Sequence, residues 1–307
     1  MPDSIDRPGI DRVSLIRPFS PHSTADGSRT FYSDEFGEFF HSHHGAKQEA
    51  ESKFVRSTFL PDRARKPVVY LLDICYGLGY NTAAALETIW RENPYCQVVW
   101  MGLESDATVA PAAVTHHLLD TWSNDVQWRL AEIARHREFE DVRFRGKLWL
   151  GDARETIVEV YESGFRADAI FLDPFSPPTC PQLWTVEFLQ YVADCLKPTG
   201  YLATYSCAAS VRSALIEVGL KVGSTVPVGR KTPGTVASWS DRHLQPLSQR
   251  EREHLQTRAA VPYRDPTLSD FPETIRQRRQ AEQERSDREP TTQWKKRWAA
   301  RKSFNES

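Results

Sequence analysis

One stretch decides the fold: Val68-Val69-Tyr70-Leu71-Leu72-Asp73-Ile74-Cys75-Tyr76-Gly77-Leu78-Gly79-Tyr80-Asn81. The run from Val68 to Asp73 is continuously apolar and ends on an acid, which is the pattern of a strand buried in a parallel sheet. Two glycines follow in a turn, and residues 81–91 then carry apolar side chains at helical spacing. The stretch therefore predicts one βα unit, in which a strand passes through a glycine-bearing turn into a helix.

The same alternation of strands and helices continues through the middle of the chain. Further strands are predicted at 97–104, 147–150, 167–173 and 201–206, and further helices at 153–161, 181–196 and 209–219. The helix at 181–196 is expected to stop at Lys197-Pro198-Thr199-Gly200, where proline and glycine end it. This order of elements predicts an α/β fold with a mostly parallel, doubly wound sheet.

Three regions of the chain differ in composition. Residues 1–66 are aromatic and histidine-bearing, residues 67–240 carry the alternating pattern, and residues 241–307 are polar and rich in Arg, Gln and Glu. We expect an N-terminal extension packed near the site, a central domain, and a partly helical C-terminal extension. In the last region, residues 276–288 are biased enough to be an exposed helix or disordered.

The end of the chain combines basic and aromatic residues in Trp294-Lys295-Lys296-Arg297-Trp298, followed by Arg301 and Lys302. Such a segment can grip an RNA backbone through its positive charges. It can equally be a charged terminal helix that docks on the domain through its tryptophans. The sequence leaves these two interpretations open, and it does not indicate an oligomeric state.

Composition bounds the partners and the compartment. The chain has 307 residues and a formal net charge of −2, so any binding to nucleic acid must come from a local patch. Five cysteines without a C-x-x-C pair favour reduced thiols over disulfides or a zinc site. Residues 1–25 do not resemble a signal peptide, and no run of about 18 apolar residues predicts a membrane span. We therefore expect a cytoplasmic protein.

A histidine cluster, His41-Ser42-His43-His44, invites a metal-site interpretation. No clear carboxylate or cysteine partner follows at the spacing of metal ligands, so the metal-site interpretation is disfavoured. We expect no metal.

Ligands of open α/β sheets bind at the carboxyl ends of the strands, and distinctive residues fall there. Gly77 and Gly79 let backbone N–H groups approach a ligand, although similar glycines occur in ordinary tight turns. Glu104 ends the second strand and can accept hydrogen bonds from ribose hydroxyls, or it is a solvated strand-end acid. Asp152 can accept from an adenine amino group, but for this residue alone a helix N-cap is favoured.

The fourth strand is followed by Asp173-Pro174-Phe175-Ser176-Pro177-Pro178. Because proline fixes its own φ and restricts the residue before it, this loop is shaped in advance. It can hold a planar group against Phe175 while Asp173 accepts from an amine. The alternative is a plain proline-rich turn.

Taken in order, these four strand ends resemble the pattern of class I S-adenosylmethionine-dependent methyltransferases. Two segments indicate a more specific family within this class. Asp173–Pro177 and Pro181-Gln182-Leu183-Trp184-Thr185 look like the D-G-F-A-P…P-x-x-W-T segment of the MnmC methyltransferase domain. The other segments similar to that family, within a match covering roughly 26–237, are Gly77–Asn81, Leu202–Ser206, Val211-Arg212 and Gly229-Arg230-Lys231.

The resemblance implies a Rossmann-like fold, S-adenosylmethionine as cofactor, and the 5-aminomethyl group of a tRNA wobble uridine as acceptor. The chain departs from the bifunctional members at Pro174, where they have glycine, so a stiffer loop is expected. It also lacks room for their FAD-dependent oxidase half, so it resembles the stand-alone form of the family.

Site residues are implied by the same resemblance. Asp173 is expected to be catalytic, orienting the amine and receiving its proton, while Phe175 and Trp184 wall the uracil ring. The segment from Asp26 to Val55, which contains the histidine cluster, resembles the N-terminal element of that family, so it is expected to be a loop or a substrate lid. Tyr32 and Glu49 are expected to face the site. The remaining assignments are Asp73, Tyr76, Gly77, Gly79, Asn81, Glu104, Asp152 and Ala153 for the cofactor, and Ser176 and Pro177 for the substrate.

Two other functions stay open. One is methylation of a different amine, on a small molecule or on a nucleic-acid base; for a DNA base the aromatic residue of the 173–178 loop is misplaced. The other is a non-catalytic RNA-binding or scaffold protein. Such a protein would not need acids at four strand ends together, namely Asp73, Glu104, Asp152 and Asp173.

Overall fold

A computed structural model describes residues 19–227 and 232–305. In chain order its strands are β1 His22–Ser23, β2 Arg29–Thr30, β3 Tyr32–Ser33, β4 Glu38–Phe39, β5 Val68–Ile74, β6 Gln97–Glu104, β7 Glu138–Glu140, β8 Phe144–Leu150, β9 Ala167–Leu172, β10 Leu196–Thr204, β11 Lys221–Ser224 and β12 Thr235–Ser238. Its α-helices are α1 Ala46–Glu49, α2 Leu60–Arg63, α3 Tyr80–Glu92, α4 Val109–Thr115, α5 Asn124–His136, α6 Ala153–Glu162, α7 Val186–Asp194, α8 Ala209–Glu217, α9 Gln249–His254, α10 Pro272–Arg285 and α11 Thr291–Asn305. A π-helical segment spans Ala50–Val55, and 3₁₀ turns span Pro181–Trp184 and Arg258–Ala260. The predicted Gly229-Arg230-Lys231 motif lies outside the described residues.

The central sheet has the strand order β11-β12-β10-β9-β5-β6-β8-β7. The strands from β10 to β8 run parallel, whereas β7, β11 and β12 pair antiparallel with their neighbours. The chain winds outward from β5 through β6 to β8, and then returns to the other side of β5 to form β9 and β10. The predicted mostly parallel, doubly wound sheet is confirmed, and its topological switch point lies between β5 and β9.

Both faces of the sheet are covered, which explains why β5 reads as an unbroken apolar run. Val69 and Leu71 belong to the cluster under α3 and α5, while Leu72 and Ile74 belong to the cluster under α6, α7 and α8. All four side chains are fully buried. Burial on two faces removes the polar alternation that a one-sided strand would show.

The segment predicted as one helix over 181–196 is divided. A 3₁₀ turn ends at Trp184, and Thr185 then caps α7 by accepting a hydrogen bond from the backbone N–H of Phe188. The expected stop at 197–200 is also wrong, because β10 already begins at Leu196 and its register shifts before Tyr201. The division at 184–185 arises because the N-cap Thr185 starts a new helix, which a count of apolar positions does not detect.

The N-terminal region packs into the fold over its described part. Phe31 and Phe54 are buried in the core cluster under α3. The Tyr80 hydroxyl on α3 donates to the carbonyl of Leu118 at 2.7 Å and accepts from the backbone N–H of Arg29 at 3.3 Å. Residues 19–66 are therefore held by the central domain, and the three-part division of the chain stays a prediction.

The C-terminal extension is helical and docked. Trp294 is buried and stacks on His254 with a ring distance of 4.3 Å, and Trp298 donates its indole N–H to Glu253 at 2.9 Å. Arg297 pairs with Glu253 and Glu289. Of the two interpretations left open for this segment, these contacts support docking. The helical alternative holds for most of residues 276–288, because α10 extends to Arg285.

Across 19–227 and 232–305, no helix is both long and apolar enough to cross a membrane.

Candidate active site

The carboxyl ends of β5, β6, β8 and β9 open into one cavity of about 660 Å³, covered on one side by the hairpin of β3 and β4. Nine predicted site residues line it: Tyr32, Glu49, Gly77, Glu104, Asp152, Ala153, Asp173, Phe175 and Ser176. Six others do not line it: Asp73, Tyr76, Gly79, Asn81, Pro177 and Trp184. The structure therefore brings together the acids of three strand ends and part of the proline-rich loop.

The turn after β5 needs its glycines. Gly77 and Gly79 have φ values of 55° and 81°, in the left-handed region that L side chains rarely adopt. A Cβ at Gly79 would lie 2.5 Å from the hydroxyl oxygen of Tyr76, whose ring is buried against Trp100. Tyr76 and Gly79 thus shape the turn from behind, and Gly77 forms part of the cavity wall.

Glu104 is aimed by three backbone donors. Its Oε2 accepts from the N–H of Gly77 at 2.8 Å, and its Oε1 accepts from Ser105 at 2.8 Å and Asp106 at 2.9 Å. Burial nevertheless raises the pKa of this carboxyl above its usual range. The hydroxyl of Ser105 also donates to Oε1, at 3.4 Å. Each carboxylate oxygen has about two acceptor positions, so Oε2, which among the described residues receives the N–H of Gly77 alone, has one left.

Asp152 caps helix α6. Its Oδ1 accepts from the backbone N–H of Arg154 at 2.9 Å, and the guanidinium of Arg154 binds the same carboxylate at 2.6 Å. Burial alone would raise the pKa of Asp152, but the contacts with Arg154 outweigh it and lower that pKa. The N-cap interpretation of Asp152 is confirmed, and a contact with adenine stays a prediction.

Two buried side chains behind the glycine turn have unsatisfied atoms. Asp73 accepts from the hydroxyl of Thr82 at 2.6 Å, and that hydroxyl accepts from the indole N–H of Trp100 at 2.8 Å. Burial, reinforced by the charges of Asp173 and Glu104, raises the pKa of Asp73 to about 8. Within the part of the chain that the structure describes, the Oδ1 atoms of Asp73 and Asn81 are buried without a hydrogen-bond partner. Orphaned buried acceptors of this kind are uncommon and call for a ligand or water.

Asp173 is held by an amide from the first turn of α3. The Nδ2 of Asn81 donates to the Oδ2 of Asp173 at 2.8 Å. The backbone N–H of Asp173 donates to the carbonyl of Ile74 at 3.1 Å. Burial raises the pKa of Asp173 to about 7, and the negative charge of Glu49 acts in the same direction. The group can therefore gain or lose a proton near neutral pH.

The proline-rich loop is braced by aromatic residues. Phe175 stacks on Phe36 at 4.3 Å, and the Tyr205 hydroxyl donates to the carbonyl of Pro174 at 3.0 Å. Trp184 is fully buried and donates its indole N–H to the carbonyl of Phe175 at 2.9 Å. The predicted wall contact of Trp184 is therefore wrong: this side chain supports the loop from behind, and Pro177 is likewise buried outside the lining.

The hairpin that covers the cavity is tied to the same loop. Glu38 on β4 accepts from the backbone N–H of Ser176 at 3.1 Å and from the hydroxyls of Ser176 and Thr179. Tyr32 lies at the start of the hairpin and is 41% exposed. Neither Glu38 nor the hairpin was predicted from the sequence, although the density of aromatic residues over 31–40 was a signal for them.

The histidine cluster is partly buried in this region. The ring of His41 packs against Tyr80 at 5.0 Å, and its Nδ1 lies 3.4 Å from the hydroxyl of Thr30. Burial lowers the pKa of His41 to about 4, against the opposing charges of Glu49 and Asp26. No group of three His, Cys, Asp or Glu residues within 19–227 and 232–305 is arranged to hold a metal ion.

The charge of the cavity is one-sided. Among the described residues, no Lys or Arg lines the cavity, and the only basic side chains in the lining are His41 and His43. Eight acids line it: Asp34, Glu35, Glu38, Glu49, Glu104, Asp106, Asp152 and Asp173. A cleft lined by one sign of charge in a low-dielectric surround concentrates ligands of the opposite sign. This cavity therefore favours positively charged groups.

Comparison with known proteins places this site among methyltransferases. A model of an S-adenosyl-L-methionine-dependent methyltransferase family matches residues 113–240. The crystal structure of MnmC2 from Aquifex aeolicus is 35% identical, superposes with a TM-score of 0.77, and is matched over 88% of this chain and 86% of that chain. An uncharacterized protein of Methanocaldococcus jannaschii is 30% identical over 260 residues, which are 80% of this chain and 67% of that protein.

A longer relative is matched over only part of its length. The tRNA 5-methylaminomethyl-2-thiouridine biosynthesis bifunctional protein MnmC of Polaromonas naphthalenivorans is 30% identical over 222 residues. The match covers 69% of this chain, which spans about a third (33%) of that protein's length.

Proposed function

Because the chain belongs to the MnmC2-type family of S-adenosyl-L-methionine-dependent methyltransferases, we propose that it methylates the 5-aminomethyl nitrogen of a tRNA wobble uridine. Methyl transfer and the cofactor follow from the family, whereas the acceptor is the proposed part. The observation that carries it is the placement of Asp173: a carboxyl with a pKa of about 7, held by Asn81, in a cavity lined by acids.

The residues at the strand ends fit the cofactor. Glu104 has an acceptor position left for ribose hydroxyls, and Gly77 leaves its backbone open to close approach. The orphaned Oδ1 atoms of Asp73 and Asn81 lie behind the cavity wall, so a bound polar group would reach them through water. Asp152 and Ala153 line the cavity and would flank the adenine. When bound, S-adenosylmethionine supplies a methyl group on a positively charged sulfur, and this group moves to the acceptor nitrogen.

Asp173 would prepare that nitrogen. An alkylamine has a pKa of about 10 and is mostly protonated at neutral pH, yet only its neutral form has a free electron pair. Asp173 would take up the released proton, because burial has already brought its pKa to about 7. The fixed amide of Asn81 would keep the carboxylate oriented toward the acceptor.

The shape and charge of the cavity support an aminomethyl base as acceptor. Phe175 and Tyr32 offer aromatic surfaces on which a planar ring can stack. The acidic lining attracts the ammonium group, while it repels phosphates and keeps an RNA backbone outside. A flipped base entering alone satisfies both requirements.

A second candidate acceptor is a small free amine. The lining is acidic throughout, and the basic C-terminal helix is docked through Trp294 and Trp298. Both observations suit a small cation as well as they suit a modified base.

Deletion of the gene and mass spectrometry of tRNA nucleosides test the proposal. We expect 5-aminomethyl-uridine to accumulate at the expense of its N-methylated form. The purified protein with S-adenosylmethionine should then methylate tRNA from the deleted strain. An unchanged nucleoside profile, with methyl transfer to a small amine such as a diamine, would replace the first candidate by the second.

A further inference from the structure

Glu49 is a further carboxyl group in the cavity, and the proposed methyl transfer does not use it. It lies at the last position of α1, where the π-helical segment Ala50–Val55 begins, and it lines the same cavity as Asp173. Its Oε1 is 2.6 Å from the Nζ of Lys53, and its Oε2 accepts from the N–H of Ser42 at 3.4 Å. The Lys53 side chain is only 2% exposed.

The segment that carries this ion pair is rigidly placed. The backbone N–H of Arg56 donates to the carbonyl of Glu51, which is the i→i+5 bond of a π-turn. Phe54 is buried and packs on Phe171 of β9 at 5.6 Å. Short π-helical turns often occur at functional sites because they redirect side chains. Here the turn places the buried Lys53 against Glu49. The ion pair with Lys53 therefore holds the Glu49 carboxylate in place at the cavity wall.

The two carboxyl groups differ in ionisation. Burial alone would raise the pKa of Glu49, but Lys53 and His41 outweigh it and lower that pKa. The pKa of Asp173 is instead raised to about 7. Asp173 is affected by the charges of Glu49 and Lys53 and by a hydrogen bond from Asn81. Its neighbour Asp73 is affected by the charges of Asp173 and Glu104. One cavity thus holds a permanent anion beside a group that can exchange a proton, a separation typical of acid–base pairs.

We propose that Glu49 binds the acceptor as an ammonium ion and presents it to Asp173, so that the site selects protonated amines. The proposed function supplies only the identity of the acceptor. The ammonium nitrogen loses one proton to an oxygen of Asp173, which becomes a neutral carboxylic acid, and the nitrogen keeps the electron pair of that N–H bond. Lys53 is the positioning residue: it holds Glu49 ionised and in place.

Binding of matched neutral and charged probes tests this assignment. The probes are 5-aminomethyluridine and 5-hydroxymethyluridine nucleosides, titrated by calorimetry at pH 7 into the protein saturated with S-adenosylhomocysteine. We expect the native protein to bind the ammonium probe more tightly than the hydroxyl probe. In Glu49→Gln the affinity for the ammonium probe should fall about tenfold or more, while that for the hydroxyl probe changes by less than about twofold.

Two further variants guard against a merely structural effect. Glu51→Gln lies two residues away, outside the cavity lining, and should preserve the preference for the ammonium probe. Glu49→Gln/Lys53→Met removes both charges, so no buried lysine is left unpaired, and it should show the same loss as the single variant. A Glu49→Gln protein that retains the native preference overturns the proposal, and so does an equal loss for both probes.

The readout separates this inference from the proposed function. Native protein that prefers the ammonium probe through Glu49 but does not methylate tRNA supports the inference and removes the tRNA assignment. Native protein that methylates tRNA, with an acceptor KM in Glu49→Gln within about twofold of the native value, overturns the inference and leaves the function in place.

Discussion

Adjacent residues in the first turn of α3 hold two buried carboxyl groups at the switch point of the sheet. Asn81 donates to Asp173 and Thr82 donates to Asp73, each at less than 2.9 Å. The N-terminus of a helix favours negative charge, which partly offsets the cost of burial. Even so, burial dominates and raises both pKa values, to about 7 for Asp173 and about 8 for Asp73.

Replacing Asp173 with Asn should remove the proton acceptor. We expect methyl transfer to fall by at least about 100-fold at pH 8, with S-adenosylmethionine affinity within a few-fold of the native value. The native rate should rise as pH increases through about 7, because Asp173 acts only when deprotonated, and this limb should vanish in the variant. Initial rates from pH 5.5 to 9 measure it. Asp62→Asn, an exposed control outside the lining, should keep the native profile, and native rates in Asp173→Asn would contradict the assigned role.

Asp73→Asn should change how stability depends on pH. The folded pKa of Asp73, about 8, lies above its unfolded value, so the native protein retains a proton that the unfolded chain releases above about pH 4. This contribution is fully present below the unfolded pKa and is lost as pH rises toward 8. The variant does not titrate at this position. Its free energy of unfolding relative to the native protein should therefore increase by up to about 1.4 kcal/mol per pH unit between pH 5 and 7. Urea denaturation at several pH values measures the difference, and a constant difference would refute it.

At the scale of elements, short pieces outside the central sheet complete the cavity. The hairpin of β3 and β4 contributes Phe36, which stacks on Phe175, and Glu38, which binds the loop at Ser176. Strands of two residues have little stability of their own. The hairpin therefore depends on these contacts with the proline-rich loop, and the loop depends on Trp184 behind it.

Glu38→Ala should loosen this cover. Without the carboxylate, the N–H and hydroxyl of Ser176 lose their acceptor, and we expect amide exchange over residues 32–40 to accelerate. The KM for the acceptor should rise several-fold, since the wall is no longer held in place. Hydrogen–deuterium exchange by mass spectrometry measures the first effect, with Asp34→Ala in the same hairpin as comparison. Equal exchange rates in the native protein and in Glu38→Ala would show that the hydrogen bonds of Glu38 to Ser176 do not hold the hairpin in place.

At the scale of the whole molecule, negative charge is concentrated in the cavity, and many arginines of the C-terminal extension are neutralised by ion pairs. The formal net charge is −2, and the cavity is lined by acids. Many arginines of the C-terminal extension are paired within the fold, including Arg264 with Glu217 and Arg278 with Asp270. The Trp-bearing end of the chain serves the fold through Trp294, so its basic character alone does not make it an RNA-binding surface.

Trp294→Ala should destabilise the protein without changing how RNA binding responds to salt. Loss of a buried indole that stacks on His254 should lower the free energy of unfolding by about 3 kcal/mol. The slope of log affinity for tRNA against log salt should stay native, because the tryptophan carries no charge that pairs with a phosphate.

Deletion of residues 291–307 extends the same test to the basic residues. Docking predicts an unchanged salt slope, whereas a grip on the RNA backbone predicts a shallower one. Filter binding of tRNA across salt concentrations distinguishes the two results.

The sequence by itself determined the parallel part of the central sheet and the edge of that sheet at which the cavity opens. Apolar runs, helical spacing and glycines act over short distances, so β5, the helix α3 that follows it and β6 were predictable, whereas α4 and α5 were not predicted. Acids at strand ends necessarily gather at one edge of a parallel sheet. Gly77, Glu104 and Asp173 were located in this way.

Only the tertiary structure decided which side chains turn into the cavity. Trp184 turns away because its indole binds the carbonyl of Phe175, and Glu38 turns inward to bind Ser176, far along the chain. Contacts between such distant residues depend on how the elements pack, and no local pattern records them.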